Sequence, residues 1–381
     1  MMAERIRCVA ASTEHAAGLA EFFRINWGAQ TTPDEVVRSM ETSAAENVAE
    51  PGRIPPATIA VRGGEVLAYC GSIPTQFRLC GSTQSAYWAK GLWVLEQYRG
   101  GPLGYMVLKE FSASVEIAAA LTVDPASRRL FEGLGYQNLG TLPNLVQPVS
   151  FERLGRHMRG IVERQANLPS VVRRGARVVD TLGIGRAGGM MADAMVWMLR
   201  AVRPSRYEVA MAPDITDDAL HHLWDRSRDA APASPVRDAH ALRTRYQLGM
   251  PKSEYFPIVA RREGELVGLA IMKRPKAMPD GRLGGVSAAS LSDILALPNQ
   301  PGLDAALLDG CYGAARAEGA AAIVFSPALQ RWRDSARRLG YFAMPGNVHF
   351  LLKHPAAAGT VPGVLNQWHL TRGDAESDAS F

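Results

Sequence analysis

The chain repeats itself weakly, at an offset of about 200 residues, and this limits the architectures open to it. Ala60–Ala68 (AVRGGEVLA) resembles Ala260–Gly268 (ARREGELVG). Both read as strand, polar glycine turn, strand, which is a hairpin. Further on, Ser127–Tyr136 (SRRLFEGLGY) resembles Ser335–Tyr341 (SARRLGY). Each reads as a short helix closed by glycine and followed by a strand. Two matches in the same order imply two copies of one α/β unit.

The periodicity fills in both copies in the same order. The first predicts helices over 14–25 and 33–46, a hairpin over 58–79 and a strand over 86–95. A helix over 103–114, a strand over 117–123, a helix over 126–134 and final strands to about Val149 complete it. The second predicts helices over 217–228 and 239–246, a hairpin over 255–273 and a strand over 285–293. A helix over 303–318, a strand over 321–325, a helix over 328–339 and a strand over 348–352 follow. Strands in front of a βαβ segment make a mixed sheet of the α/β (α+β) class. The expected division is a first domain over 1–150, a basic Met/Arg-rich linker over 151–206, a second domain over 207–354 and a mobile tail over 355–381.

At 381 residues there is ample core for two domains. Apolar residues make up 47% and charged residues 21%, which excludes a disordered chain. No apolar run reaches the ~20 residues of a membrane span. The start, MMAERIRCVAAS, lacks the apolar core of an export signal, so a cytoplasmic location is expected. Cys8, Cys70, Cys80 and Cys311 have no metal-type spacing, so no metal site is expected; Cys70 and Cys80 could pair, with reduced core thiols the favoured reading in the absence of an export signal. The net charge of +5 is uneven. From Arg153 to Arg206 there are eleven Arg and no Lys against three acids, a local +8 that leaves −3 for the rest.

The segment Leu92–Phe111, LWVLEQYRGGPLGYMVLKEF, carries the chemistry. A buried strand runs into the turn Arg99-Gly100-Gly101-Pro102-Leu103-Gly104, and Tyr105, Met106, Leu108 and Phe111 continue at helical spacing. A glycine-rich turn at a helix N-terminus offers unpaired N–H groups to an anion. Gly100, Gly101, Leu103 and Gly104 are the expected donors, with Arg99 as charge partner. The competing reading is a tight surface turn without a ligand.

These residues resemble the GNAT superfamily of acyl-CoA N-acyltransferases, here as two tandem units. That family's loop is [QR]-x-x-G-x-[GA], and Gln97-Tyr98-Arg99-Gly100-Gly101-Pro102-Leu103-Gly104 stands where it belongs. Its later motif, Asn-x-x-[AS]-x-x-Leu-Tyr followed by Gly-Phe, is similar to Asp124–Phe131 and Gly135-Tyr136. The resemblance covers about 3–149 by motif and 207–354 only by element order. It implies acetyl-CoA or another acyl-CoA as co-substrate, with pyrophosphate on the loop and pantetheine on the free backbone edge of Leu92, Trp93 and Val94. It adds Asp124 and Phe131 to the cofactor site and a small-molecule amine, such as an amino sugar, as acceptor. Two departures stand out. Pro102 removes one donor from the loop. Phe131 replaces a tyrosine that protonates the departing thiolate, and phenylalanine has no proton to give. The second unit's loop, Leu297–Leu303, lacks both the arginine and the glycine series, so it is expected to form walls or a structural half.

Attack by an amine needs a base and a stabilised oxyanion. The strand over 86–95 carries no Asp or Glu, and there is no histidine between His15 and His157. Glu96 is the best-placed carboxylate for the base, with a solvated loop glutamate as the equal alternative. Glu116 and Asp124 stand behind it, and a water chain with no dedicated base is a further option. Tyr136, or else Tyr98 or Tyr105, could serve as acid. In the second unit Asp293 could face an acceptor, although surface or cap roles are commoner. His221-His222 have no partners at ligand spacing.

The middle segment holds Gly183–Gly188, a G-x-G-x-x-G match too short in context for a dinucleotide fold. It also holds Met190, Met191, Met195 and Met198 among arginines. These read as a linker helix buried between units or at a homodimer contact, or as a basic amphipathic helix on an anionic membrane surface. Two other functions compete with catalysis. One is a non-catalytic acyl-CoA-binding or scaffold protein. The other is a Fem-like aminoacyl-tRNA-dependent transferase, against which stand the surviving loop and the lack of aromatics in the basic stretch to stack nucleic acid bases.

Overall fold

The structure is a computed structural model that describes residues 5–122, 124–155, 188–191, 193–195, 198, 205–212, 214–278, 284–355 and 361–375. Its contacts divide the chain into two units. The first takes in residues 1–141, 232–236 and 347–368; the second takes in 142–231, 237–346 and 369–381.

In the first unit the strands are β1 (Arg7–Ala10), β2 (Thr58–Arg62), β3 (Glu65–Leu79), β4 (Ser82–Val94) and β5 (Ala118–Thr122). They lie side by side in that order. A sixth strand, residues 349–353 of β13 (Phe342–Lys353), pairs antiparallel with β5, and β8 (Ala233–Pro235) lies along β3. Of these strand pairs, β4–β5 is parallel and the others are antiparallel. The helices are α1 (Ala16–Trp27), α2 (Pro33–Ala45), α3 (Leu103–Ser114) and α4 (Pro125–Gly133).

Local sequence explains the starts of these elements. Thr32 and Glu35 form a capping box ahead of α2, with Pro33 in its first turn. Gly63 and Gly64 both have positive φ, as a two-residue hairpin turn requires. Leu19, Phe22, Ile59, Leu67, Val107, Leu108 and Phe111 form the core with Leu351 from the borrowed strand. A second aromatic group, Phe77, Trp88, Phe350 and Trp368, packs with ring centroids 4.9–5.9 Å apart.

The second unit repeats the arrangement. Its strands run in the order β6 (Gln137–Pro148), β12 (Ala322–Phe325), β11 (Ser287–Ala296), β10 (Glu265–Ala277), β9 (Tyr255–Arg262) and β7 (Glu208–Met211). Residues 145–148 of β6 supply the strand beside β12. Helices α5 (Asp217–Ser227), α6 (Ala239–Tyr246), α7 (Leu303–Ala317) and α8 (Gln330–Arg338) complete it. Its hairpin turn, Glu263-Gly264, again has positive φ at both positions.

Three features differ from the sequence reading. The short strands β1, β7 and β8 carry too little periodicity to stand out. The units are not consecutive stretches, because residues 347–353 complete the first sheet and residues 142–148 belong to the second. The tail beyond 355 contains a packed segment where a mobile one is expected. Leu370, Thr371 and Asp374 are at most 1% exposed, and Arg372 is also buried. Of the middle segment, Gly183–Ala187 and most of the arginines lie outside the described residues. Met190, Met191, Met195 and Met198 are described, and all four are exposed rather than buried in a linker.

Candidate active site

Strand β4 leaves its parallel partner halfway along. Pairing with β5 is confined to Tyr87 opposite Ala118 and Trp88 opposite Ala119. Beyond Trp88, β5 stays paired through Thr122 on its other side, with β13. Among the described residues, no strand pairs beyond that point with the edge of β5 facing β4 or with the facing edge of β4. The cause lies in β4 itself. Between the pairs Gly71–Lys90 and Tyr69–Trp93 this strand carries one residue more than β3. That bulge contains Gly91, whose φ is +65°. A bulged residue re-aims the strand after it, and glycine is the residue that takes this φ without steric cost.

The gap holds a cavity of about 790 Å³. Leu92, Trp93 and Val94 line it from β4, and Ala120 and Leu121 from β5. Arg99, Gly100, Gly101 and Gly104 line it from the loop, and Asp124 and Phe131 from the α4 region. Most of the cofactor residues expected from sequence thus converge on one space. Leu103 does not line it, because its side chain is 4% exposed and packs in the core.

The loop's donors differ from one another. Gly101 N–H is spent inside the turn on the Tyr98 carbonyl, at 3.3 Å. It is thus removed from the expected donor set. Gly100, Leu103, Gly104 and Tyr105 have no acceptor for their N–H groups among the described residues. The last three belong to the first turn of α3, where no intrahelical partner exists. Helix polarity favours negative charge at that end. The Arg99 Nε donates to the Val94 carbonyl at 3.1 Å, and its guanidinium lies 5.4 Å from the Trp93 ring centre. Arg129, which the motif reading passed over, also lines the cavity. The two arginines leave the cavity's polar end positive.

Other expected residues have different jobs. Asp124 caps α4: its carboxylate accepts from Ser127 Oγ at 2.6 Å, Ser127 N at 2.8 Å and Ala126 N at 3.2 Å. The Ser127 hydroxyl, with those amides, holds its pKa below the usual carboxylate range. Tyr136 is not an acid facing the cavity. It is 3% exposed and stacks edge-on against Phe131. The Ser112 hydroxyl gives its one hydrogen to the Leu108 carbonyl, so the Tyr136 hydroxyl donates to Ser112 Oγ, at 2.7 Å. Burial pushes the Tyr136 pKa up. Glu96 is exposed in a short 3-10 turn and is not among the cavity's lining residues. The only carboxylate among those residues is Asp124, which is committed to its cap.

A residue that sequence order hides is His349. Strand β13 brings it opposite Thr122, where its ring contacts Arg128 Nη1 at 3.1 Å and Thr141 Oγ1 at 3.3 Å. Desolvation, then Arg128, lowers its pKa. It does not line the cavity. Nothing in local sequence could place it in the first unit.

In the second unit, Asp293 faces no acceptor. It is 2% exposed, and its two oxygens share the single Nε–H of Arg237, at 2.9 and 3.1 Å. Burial alone would raise its pKa, but Arg237 and then Arg245 bring it below the usual range. His221 and His222 are exposed, and His222 approaches Glu265 at 3.3 Å. Among the described residues, no helix is long and apolar enough to cross a membrane.

This mixed α/β fold is that of the GNAT acyltransferases. The chain is similar to a probable N-acyltransferase from Enterococcus faecalis V583, with a TM-score of 0.57 and 9% identity over 92% of this chain and 73% of that one. It is similar to a GCN5-related N-acetyltransferase from Kribbella flavida, with a TM-score of 0.54 and 17% identity over 98% and 82%. It is also similar to Saccharomyces cerevisiae N-myristoyltransferase with bound myristoyl-CoA, with a TM-score of 0.53 and 13% identity over 96% and 84%. Neither a protein-family model nor a curated protein sequence matches it.

Proposed function

We propose that the first unit binds an acyl-CoA in the β4–β5 gap and transfers its acyl group to a small amine that attacks directly in a ternary complex. One observation carries this reading: the strand-unpaired edge of β4 is followed, after a 3-10 turn and the glycine loop, by a helix N-terminus with unpaired amides. A pantetheine arm carries amides that suit a strand edge, and a pyrophosphate suits the N–H groups of Gly100, Leu103, Gly104 and Tyr105. Arg99 and Arg129 add charge for the phosphates. A backbone N–H near Val94 stabilises the oxyanion. The structural neighbours support acyl-CoA chemistry in general, and one of them holds myristoyl-CoA.

Among the residues lining the cavity there is no free carboxylate and no histidine. The amine therefore arrives neutral or loses its proton to water, and the tyrosine among those residues, Tyr98, whose hydroxyl accepts from the Arg62 guanidinium at 2.6 Å, is the group left to protonate the thiolate. A second reading rests on the same observation: a protein that binds acyl-CoA without turning it over. Calorimetry with acetyl-CoA and longer acyl-CoAs, followed by thiol release with a panel of amines, separates the two. Binding with turnover supports transfer, binding without turnover supports the second reading, and no binding removes both.

A further inference from the structure

The second unit repeats the strand break of the first. Pairing of β11 with β12 ends at Leu291 opposite Phe325. At that point β11 also carries one extra residue, Ser292, relative to β10. The hairpin repeat aligns Ala296 with Val94, since these pair with Gly268 and Ala68 respectively. A free edge is therefore expected at Ser292, Ile294 and Ala296.

That edge is filled from within the chain. The Thr371 hydroxyl donates to the Ser292 carbonyl at 2.6 Å, and His369 Nε2 meets the Ile294 carbonyl at 2.8 Å. Arg331 donates to the Ala296 carbonyl at 3.2 Å. On its other side the same segment accepts: Ala328 N–H, just past β12, donates to the Leu370 carbonyl at 2.9 Å. The segment thus lies where an extended ligand would lie, bonded to both walls. Arg237 locks it by bridging Asp293 and Asp374, whose side chains are 2% and 0% exposed. A β-carbon on Gly373 would stand 2.5 Å from the Tyr246 hydroxyl and 2.6 Å from the Ser292 carbonyl, so the fit admits only glycine.

We propose that residues 369–374 are the built-in occupant of this slot: an intramolecular peptide ligand that excludes a second cofactor. The chain then holds one acyl-CoA, in the first unit, a count that rests on the reading above. The mouth of the slot agrees with this, because Asp304 stands in the first turn of α7 where the first unit has Gly104. That carboxylate already takes up the helix N-terminus and the Arg331 guanidinium, 3.3 Å away, which a pyrophosphate would otherwise use.

Hydrogen exchange of the full chain, with and without saturating acetyl-CoA, tests the proposal together with calorimetric stoichiometry. A peptide over 369–374 should be protected without ligand and unchanged with it, with one cofactor bound per chain. Thr371→Val keeps the volume and removes the bond to Ser292. It should raise exchange over 369–374 about tenfold while leaving β4 unchanged. Gly373→Ala should do the same more strongly. If Gly373→Ala fails to fold, Thr371→Val still decides. Unprotected exchange over 369–374 in the native chain would overturn the proposal. So would a second bound acetyl-CoA accompanied by deprotection there. Protection without any cofactor binding upholds the occupant and removes only the acyl-CoA reading.

Discussion

Single residues set the charge pattern of the first unit's loop. A β-carbon on Gly104 would make ordinary contacts with Val94 and Leu130, at 3.5 and 3.6 Å. Gly104→Asp is therefore sterically mild, and an acid in the first turn of a helix is otherwise favourable. It should cost about 100-fold in acyl-CoA affinity by calorimetry while leaving the melting temperature near the wild-type value. Arg99→Ala and Arg129→Ala should each cost about tenfold at low salt and less at high salt, since both groups are exposed. His369 makes a separate prediction. Burial pushes its pKa down to about 3. The unfolded chain takes up that proton near pH 6.5, so the stability contributed by the neutral ring is full above pH 6.5. It falls by about 1.4 kcal/mol per pH unit on acidification toward pH 3. His369→Gln should flatten the pH dependence of unfolding between pH 6 and 4; an identical slope would contradict the burial argument. Loop glycines were readable because spacing and composition announce them. The roles of Tyr136 and Glu96 were not, since Ser112 lies 24 residues from its tyrosine partner and exposure depends on tertiary packing.

At the scale of elements, the bulge in β4 does the positioning. Valine at Gly91 would have to adopt a φ of +65°, at a cost of about 1–3 kcal/mol, or the bulge would have to close. Closing it would turn the inward and outward faces of Leu92–Val94 over by one residue. Gly91→Val should lower the melting temperature by several degrees and weaken acyl-CoA binding more than tenfold. Thermal melts and calorimetry on one preparation check both. The long elements were legible in sequence: both hairpins, the helix after the glycine loop and the capped α4 follow local pattern. The short strands were not, because four residues cannot display a period. Exchange of the closing strands was invisible for a different reason: β6 and β13 read as ordinary last strands, and only topology says which sheet each one closes.

For the whole molecule, the division of the chain has a direct consequence. A fragment of residues 1–150 lacks the strand 349–353 and the rings of Phe350 and Trp368, both fully buried. Each aromatic contributes about 2–3 kcal/mol by burial, against a typical domain stability of about 5–15 kcal/mol. The fragment should give no cooperative unfolding transition by circular dichroism, whereas the full chain should. A stable fragment would show that the borrowed strand is dispensable. Everything proposed for the first unit depends on acyl-CoA binding in the gap between β4 and β5. The most direct measurement is the hydrogen-exchange footprint of acetyl-CoA on the full chain. The prediction is slowed exchange confined to residues 89–94 and 100–105, the strand edge and the helix N-terminus. A footprint elsewhere in the chain, or none at saturating acetyl-CoA, would contradict it.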